Sequence, residues 1–250
     1  MRNLRMTKQP KKTEVSDEVV DAPAPKKEEQ DKSAMLQALL SEEDDFYAFT
    51  LIGDIEEKTS NEVISTLVSM HHTIDKKQQA KLEEQIVQKT AELEEAEESD
   101  ETKLDFVIEQ EEPPEIKMYI STAGGAADDM FAMYDVMKWV QRSVDISTIG
   151  IGKVMSAGVP LLAAGTKGKR FLAENARIMI HNASAGAAGI IPTMEEEINE
   201  FKNIQDMYIR LLSENTNMSE KKIRAMLKKK ANIYLSAKQA IELGIADHIL

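Results

Sequence analysis

The 250-residue chain has no cysteine, which removes disulfides, Cys-ligated metal sites and a thiol nucleophile together. No apolar run approaches the roughly 18 residues of a membrane span, and Met1 to Lys12 is polar, without the apolar stretch of a secretory signal. Aromatics make up 5% of the residues, with Trp139 the single tryptophan. No basic face interleaved with aromatics occurs, which argues against a general nucleic-acid binder. Neither G-x-G-x-x-G nor G-K-[ST] occurs, so no phosphate cradle is suggested. The expectation is a soluble, cytoplasmic protein.

What is abundant is acid, and it is unevenly placed. The net charge is -13. Residues 75–112 hold 14 acidic and 5 basic side chains, and residues 1–45 hold 11 and 8, so the remainder is almost neutral. Acidity therefore belongs to two solvated segments, not to the core. Residues 1–45 mix Lys, Glu, Pro and Ala with few large apolar residues, and are expected to be disordered.

Phe46 to Ile52 has the aromatic and β-branched content of a first strand. A helix capped by Ser60 or Asn61 follows, with Val63, Ile64, Leu67, Val68 and Met70 on one face, and then an exposed helix from Asp75 to Glu98. His71 and His72 are expected at the surface. Residues 99–114 read as a loop with a short edge strand at Leu104 to Ile108. Strands are then expected at Ile116 to Ser121, Ile146 to Ile151, near Arg170 to Leu172, Arg177 to Ile180 and Ala246 to Ile249. Helices are expected at Ala126 to Val140, after Ser156, from Pro192 to about Glu214, from Ser219 to about Lys228, and after the capping box Ser236-x-x-Gln239. Alternating strands and helices imply a mainly parallel sheet with helices on its faces.

Two residues carry the chemistry. Ser156 is the only hydroxyl in Ile149 to Ala164, a strand-to-helix junction of small and apolar residues. A serine there has first-turn backbone N–H groups beside it, which suits an oxyanion, but the same serine also reads as a helix N-cap. His181 ends the apolar run R-I-M-I-H before a glycine-rich segment, at a strand end where sites of parallel sheets gather. It serves equally well as a residue that finishes the strand. Gly124-Gly125 suits a close ligand approach or a plain tight turn, and Lys228 to Lys230 suits a solvated helix end against the dipole.

The combination is more specific than its parts. The run Y-I-S-T-A-G-G, then I-S-T-I-G-I-G-K-V-M-S-A-G, N-A-R-I-M-I-H and Y-L-S-A-K-Q-A-I-E-L-G-I-A-D-H-I-L resembles, in order and spacing, the Clp protease proteolytic subunit (ClpP) family. The resemblance covers residues 46–250, with the acidic, helical insert of 75–112 replacing a shorter loop. It implies a ClpP/crotonase-like α/β fold of repeated β-β-α units with a mainly parallel sheet and a protruding helical handle. It implies Ser156 as nucleophile, His181 as general base, and an oxyanion hole from the Gly125 and Ala157 N–H groups. No cofactor or metal is implied. The expected partners are unfolded polypeptides, further subunits in stacked rings and a ring-shaped ATP-driven (AAA+) unfoldase, with neither nucleic acid nor membrane.

The chain departs from the family pattern at several places. Asn232 stands where the family usually has the aspartate of the triad; its amide can orient His181 but cannot stabilise the imidazolium by charge. Ser121 to Ala123 and Asn182-Ala183 replace an N-S-P run and a Gln-Pro pair. At positions matching the family's unfoldase-docking pocket stand Lys117, Tyr119 and Trp139. Two rival readings follow: a weakly active or inactive ring subunit with a structural role, and an acyl-CoA-binding enzyme of crotonase type.

Overall fold

The computed structural model describes residues 46–98, 112–184, 186 and 188–250. The tail expected over 1–45 and the edge strand expected at Leu104 to Ile108 lie outside the described residues.

Strand β1 (Tyr47–Ile52) leads into helix α1 (Glu57–Glu98), one uninterrupted helix of 42 residues. The sequence reading divides this stretch at Asp75 and starts it at Ser60 or Asn61; both expectations are corrected. No glycine or proline falls between Glu57 and Glu98, and the Lys-, Gln-, Glu- and Ala-rich second half is built of strong helix formers, so nothing stops the helix. Ser60 lies within it, buried, and its hydroxyl donates to Asp129 O at 3.4 Å. The buried positions Ser60, Val63, Leu67, His71 and Ile74 form one stripe, and no described side chain beyond Ile74 in α1 is buried.

His71 belongs to that stripe, against the expectation of a surface histidine, while His72 is exposed. Adjacent helical residues point about 100° apart, so only one of the pair shares the core face. The His71 ring lies 4.6 Å from that of Trp139, and Nε2 is 2.8 Å from Ser143 Oγ.

Strand β2 (Ile116–Thr122), helix α2 (Ala127–Val140) and strand β3 (Ile146–Met155) continue the alternation. Helix α3 (Gly158–Ala163), strands β4 (Arg170–Leu172) and β5 (Arg177–His181), and helices α4 (Ile191–Asn215) and α5 (Glu220–Lys229) follow. Strand β6 (Asn232–Ser236), helix α6 (Ala237–Glu242) and strand β7 (His248–Ile249) complete the chain. Ser219 caps α5 by accepting from Lys222 N, and the capping box of Ser236 and Gln239 opens α6. These hydroxyls take up backbone donors that the first helical turn leaves unpaired.

The sheet has seven strands in the order β1-β2-β3-β4-β7, with β5 added against β3 and β6 against β5. Among the described residues only the β5–β6 pair is antiparallel. This is the mixed α/β architecture with a mainly parallel sheet that the sequence implies. Strand β3 runs to Met155, beyond the expected end at Ile151. Thr148 to Gly150 pair with β4, whereas Lys153 to Met155 pair with β5, and Gly152 at φ 59° makes the change of partner. Leu51, Ile116, Met118, Ile120, Ile146, Met133, Met137 and Leu161 form the centre of the core, each fully buried. In α4 the buried residues are Tyr208, Ile209, Leu211, Leu212 and Asn215, so its first half stands away from the core as the expected handle.

One buried ion pair ties the C-terminal segment to the sheet. Arg170, 4% exposed, donates Nη2 and Nε to the Asp247 carboxylate at 2.6 and 2.8 Å, and Nη1 to Asn215 O and Ala163 O. Arg170 beside Asp247 holds that carboxyl below its ordinary value of 3.8, outweighing the opposing effect of partial burial. A lowered folded-state pKa contributes stability above the unfolded value and loses it as pH falls through the folded one. Replacing Asp247 by Ala leaves the guanidinium buried without its counter-charge, so we expect a loss of about 3 kcal/mol. Urea unfolding at pH 7 checks the size of that loss. The same experiment run downward from pH 5 should show the difference between wild type and Asp247→Ala shrinking below about pH 4.

Candidate active site

The C-terminal ends of β2, β3 and β5 meet at one edge of the sheet, and each delivers a part of the site. β3 stops at Met155, and Ser156 takes φ 53°, the only non-glycine residue with positive φ among those described. Three hydrogen bonds hold its backbone there. Ser156 N donates to Met179 O at 2.8 Å, while its carbonyl accepts from Val159 N at 3.0 Å and from the Tyr208 hydroxyl at 3.3 Å. Burial pushes the Tyr208 pKa far above its ordinary value, so the hydroxyl stays protonated and keeps donating. Helix α3 begins two residues after the serine with Ala157 as its N-terminal flank, so Ser156 is not the helix's cap.

His181, the last residue of β5, brings Nε2 to 2.6 Å from Ser156 Oγ. With the ring proton on Nδ1, Oγ–H donates to Nε2, the arrangement in which an imidazole can take the hydroxyl proton.

The turn after β2 approaches the serine from the other side. A Cβ on Gly124, whose φ is +100°, would lie 2.6 Å from Ser156 Cβ and 3.1 Å from Ala157 N, so only glycine lets this backbone come so near. Gly125 is bridged to Ile55: Ile55 N donates to Gly124 O and its carbonyl accepts from Ala126 N, each at 2.9 Å. That pattern leaves the N–H of Gly125 itself unused. Among the described residues neither the Gly125 nor the Ala157 N–H has a hydrogen-bond partner.

Asn232 begins β6 and stands directly opposite His181 in the antiparallel register. Directly opposed residues project on the same face, with Cα atoms about 4.5–5.5 Å apart. The Asn232 side chain is exposed, and among the described residues it makes no hydrogen bond to His181. The docking candidates lie on two different elements, β2 and α2. Lys117 and Tyr119 alternate onto the half-exposed face of β2, opposite the buried Ile116, Met118 and Ile120. Trp139, 43% exposed, packs on His71 of α1.

Two features escape sequence reasoning. The handle helix reaches the site twice, through Tyr208 and through Gln205, whose Oε1 accepts from Ala183 N at 2.6 Å just past His181. Tyr208 lies on the apolar stripe of α4 and so reads as plain core. The second is a Ser-His-Asp constellation away from the strand ends: Ser143 Oγ at 2.8 Å from His71 Nε2, with Asp75 Oδ2 3.4 Å from His71 Nδ1. It lacks an oxyanion site. Ser143 follows the C-terminus of α2, and the N–H groups of Gln141, Arg142, Ser143 and Val144 all donate back to helix carbonyls. The negative end of a helix also disfavours a developing anion.

The molecule is thus an α/β protein with a serine and a histidine in contact at the C-terminal edge of a mainly parallel sheet. The Clp protease family profile matches residues 71–250, and the chain belongs to that family. It is similar to the ATP-dependent Clp protease proteolytic subunit 2 of Frankia casuarinae, 38% identical over 144 residues. That similarity covers 57% of this chain and 64% of the relative, so the chain spans less than two thirds of the relative's length. Among the described residues no helix is long and apolar enough to cross a membrane.

Proposed function

We propose that the chain is a serine peptidase of the Clp type. The observation that carries this reading is the 2.6 Å contact between Ser156 Oγ and His181 Nε2, beside two unused backbone N–H groups. Ser156 Oγ attacks the peptide carbonyl as His181 takes its proton; the Gly125 and Ala157 N–H groups receive the oxyanion. His181 then returns the proton to the leaving amine, and water, activated by the same imidazole, hydrolyses the acyl-enzyme. The orienting role falls to Asn232, and its register position opposite His181 supports that reading. The substrates are unfolded polypeptides admitted to a chamber of stacked rings, with an ATP-driven unfoldase as partner. Lys117, Tyr119 and Trp139 remain the docking candidates. The name of the Frankia relative, a proteolytic subunit of an ATP-dependent protease, supports an ATP-driven partner, and the paired Ser156 and His181 favour the peptidase over an acyl-CoA enzyme.

A second reading, a slow ring subunit whose role is assembly, draws on the exposed, neutral Asn232. A fluorophosphonate probe separates the two. In the peptidase, the probe labels Ser156, mass spectrometry of the digest finds no adduct on Ser143, and His181→Ala removes the labelling. An unlabelled Ser156 in the assembled protein would favour the slow subunit.

A further inference from the structure

The run Lys228-Lys229-Lys230 takes no part in the chemistry above, yet the fold brings it to the rim of the site. Helix α5 lays Ile223 and Leu227 into the core, where they line a small apolar recess with Ile180, Met218, Met226 and Ile233. Ile180 is the residue before His181. The residue after it, Asn182, donates its side-chain N–H to Leu227 O at 3.3 Å. The last turn of α5 is therefore pinned beside the base on one side. Two residues beyond Lys230 the chain enters β6 at Asn232, opposite His181.

All three lysines are exposed, and among the described residues none forms an ion pair. Two acids of this region are engaged elsewhere: Arg224 holds Asp206 at 2.7 Å and Glu220 at 3.1 Å. Farther back along the same strands, Lys153 and Arg177 are partners in register and both exposed, adding to the positive side. A carboxylate at position 232 would offset part of this charge; asparagine leaves it whole. Among the described residues β6 has β5 as its one neighbour in the sheet and keeps Tyr234 54% exposed, so an extended peptide has an open edge beside the lysines.

We propose that Lys228, Lys229 and Lys230 select polypeptide segments with acidic side chains flanking the scissile bond. The proposal rests on the peptidase reading and names its substrate class. A lysine run that only complements the α5 dipole would treat all peptides alike. A run that faces the bound chain discriminates by charge, and salt screens it because the lysines are solvated.

The test uses three fluorogenic peptides with one cleavable core, flanked on both sides by Glu, by Gln or by Lys. For the full-length protein at low salt, kcat/KM for the Glu peptide should exceed that for the Gln peptide by about fivefold to tenfold. The Lys peptide should fall below both. The preference should collapse at about 0.5 M salt, where screening acts within a few ångströms. Lys228→Gln/Lys229→Gln/Lys230→Gln should remove it while leaving the Gln peptide's rate unchanged. Equal rates for Glu and Gln peptides, or a preference that survives the triple substitution, would overturn the proposal. Binding of the same peptides to Ser156→Ala, read by fluorescence anisotropy, separates this from catalysis. Tighter binding of the Glu peptide supports the lysine rim even if turnover is undetectable, and equal binding overturns it. Loss of turnover on all three peptides with wild type, together with an unlabelled Ser156, would instead overturn the peptidase reading.

Discussion

Ser156→Ala is expected to abolish peptide hydrolysis, lowering kcat by roughly 10³-fold or more, while leaving the fold in place. The substitution deletes the one oxygen that lies 2.6 Å from His181 Nε2. The backbone bonds that set the residue, to Met179, Val159 and Tyr208, do not involve that oxygen. The lost side-chain hydrogen bond is worth about 1 kcal/mol, small against the stability of a domain of this size. Turnover of a fluorogenic peptide and a thermal melt measured on the same preparation check both halves. Hydrolysis persisting at a tenth of wild type or more would remove Ser156 from the mechanism.

The second large effect has the opposite sign. Asn232→Asp is expected to raise kcat, by about 10²-fold, because it places a carboxylate on the face of β6 shared with His181. An amide orients a ring without opposing the positive charge that develops on it; a carboxylate does both. The gain should be smaller than the roughly 10⁴ lost on the reverse change in a buried triad, since residue 232 is exposed and water screens it. The same substitution also adds a negative charge beside the lysine rim. The increase should therefore be read on the Gln-flanked peptide. An unchanged or lower kcat with an intact fold would show that Asn232 does not act on His181.

The expected strands and the helix caps of the second half were legible because each signal there is local, whereas β6 (Asn232–Ser236) was not among the expected strands. Ser219 and the pair Ser236 and Gln239 satisfy backbone donors within three residues, and no tertiary contact competes with them. Ile116 to Thr122 alternates buried and half-buried side chains, as a strand of its composition should. Three features needed the third dimension. Gly152 and Lys153 look like the end of a strand, yet β3 carries on by exchanging β4 for β5 as its neighbour. His71 looks like its neighbour His72 until the phase of α1 is set by residues that pack around it. Tyr208 looks like core because its hydroxyl's partner, the Ser156 carbonyl, is 52 residues away in the chain. Of the candidate site, Ser156 and His181 were nameable from spacing and resemblance together; neither segment alone distinguished them from a cap and a strand end. That the Gly125 N–H, expected by resemblance in an oxyanion hole, is left unused needed the Ile55 bridge to be drawn.

The left-handed backbone of Ser156 sets local stability against use. An L-residue in that region sits about 1–2 kcal/mol above its relaxed state, and glycine would escape most of the penalty. The chain already places glycine at 124, 125, 152 and 158 around this point, so the least strained residue is freely used nearby. At 156 it instead keeps a side chain, and that side chain ends in the hydroxyl aimed at His181. A purely architectural subunit gains nothing from bearing that strain. A turn that relaxed would swing Oγ away from the imidazole and carry the Ala157 N–H with it. The tension in this one residue is therefore the physical link between how the chain folds and whether it can cut.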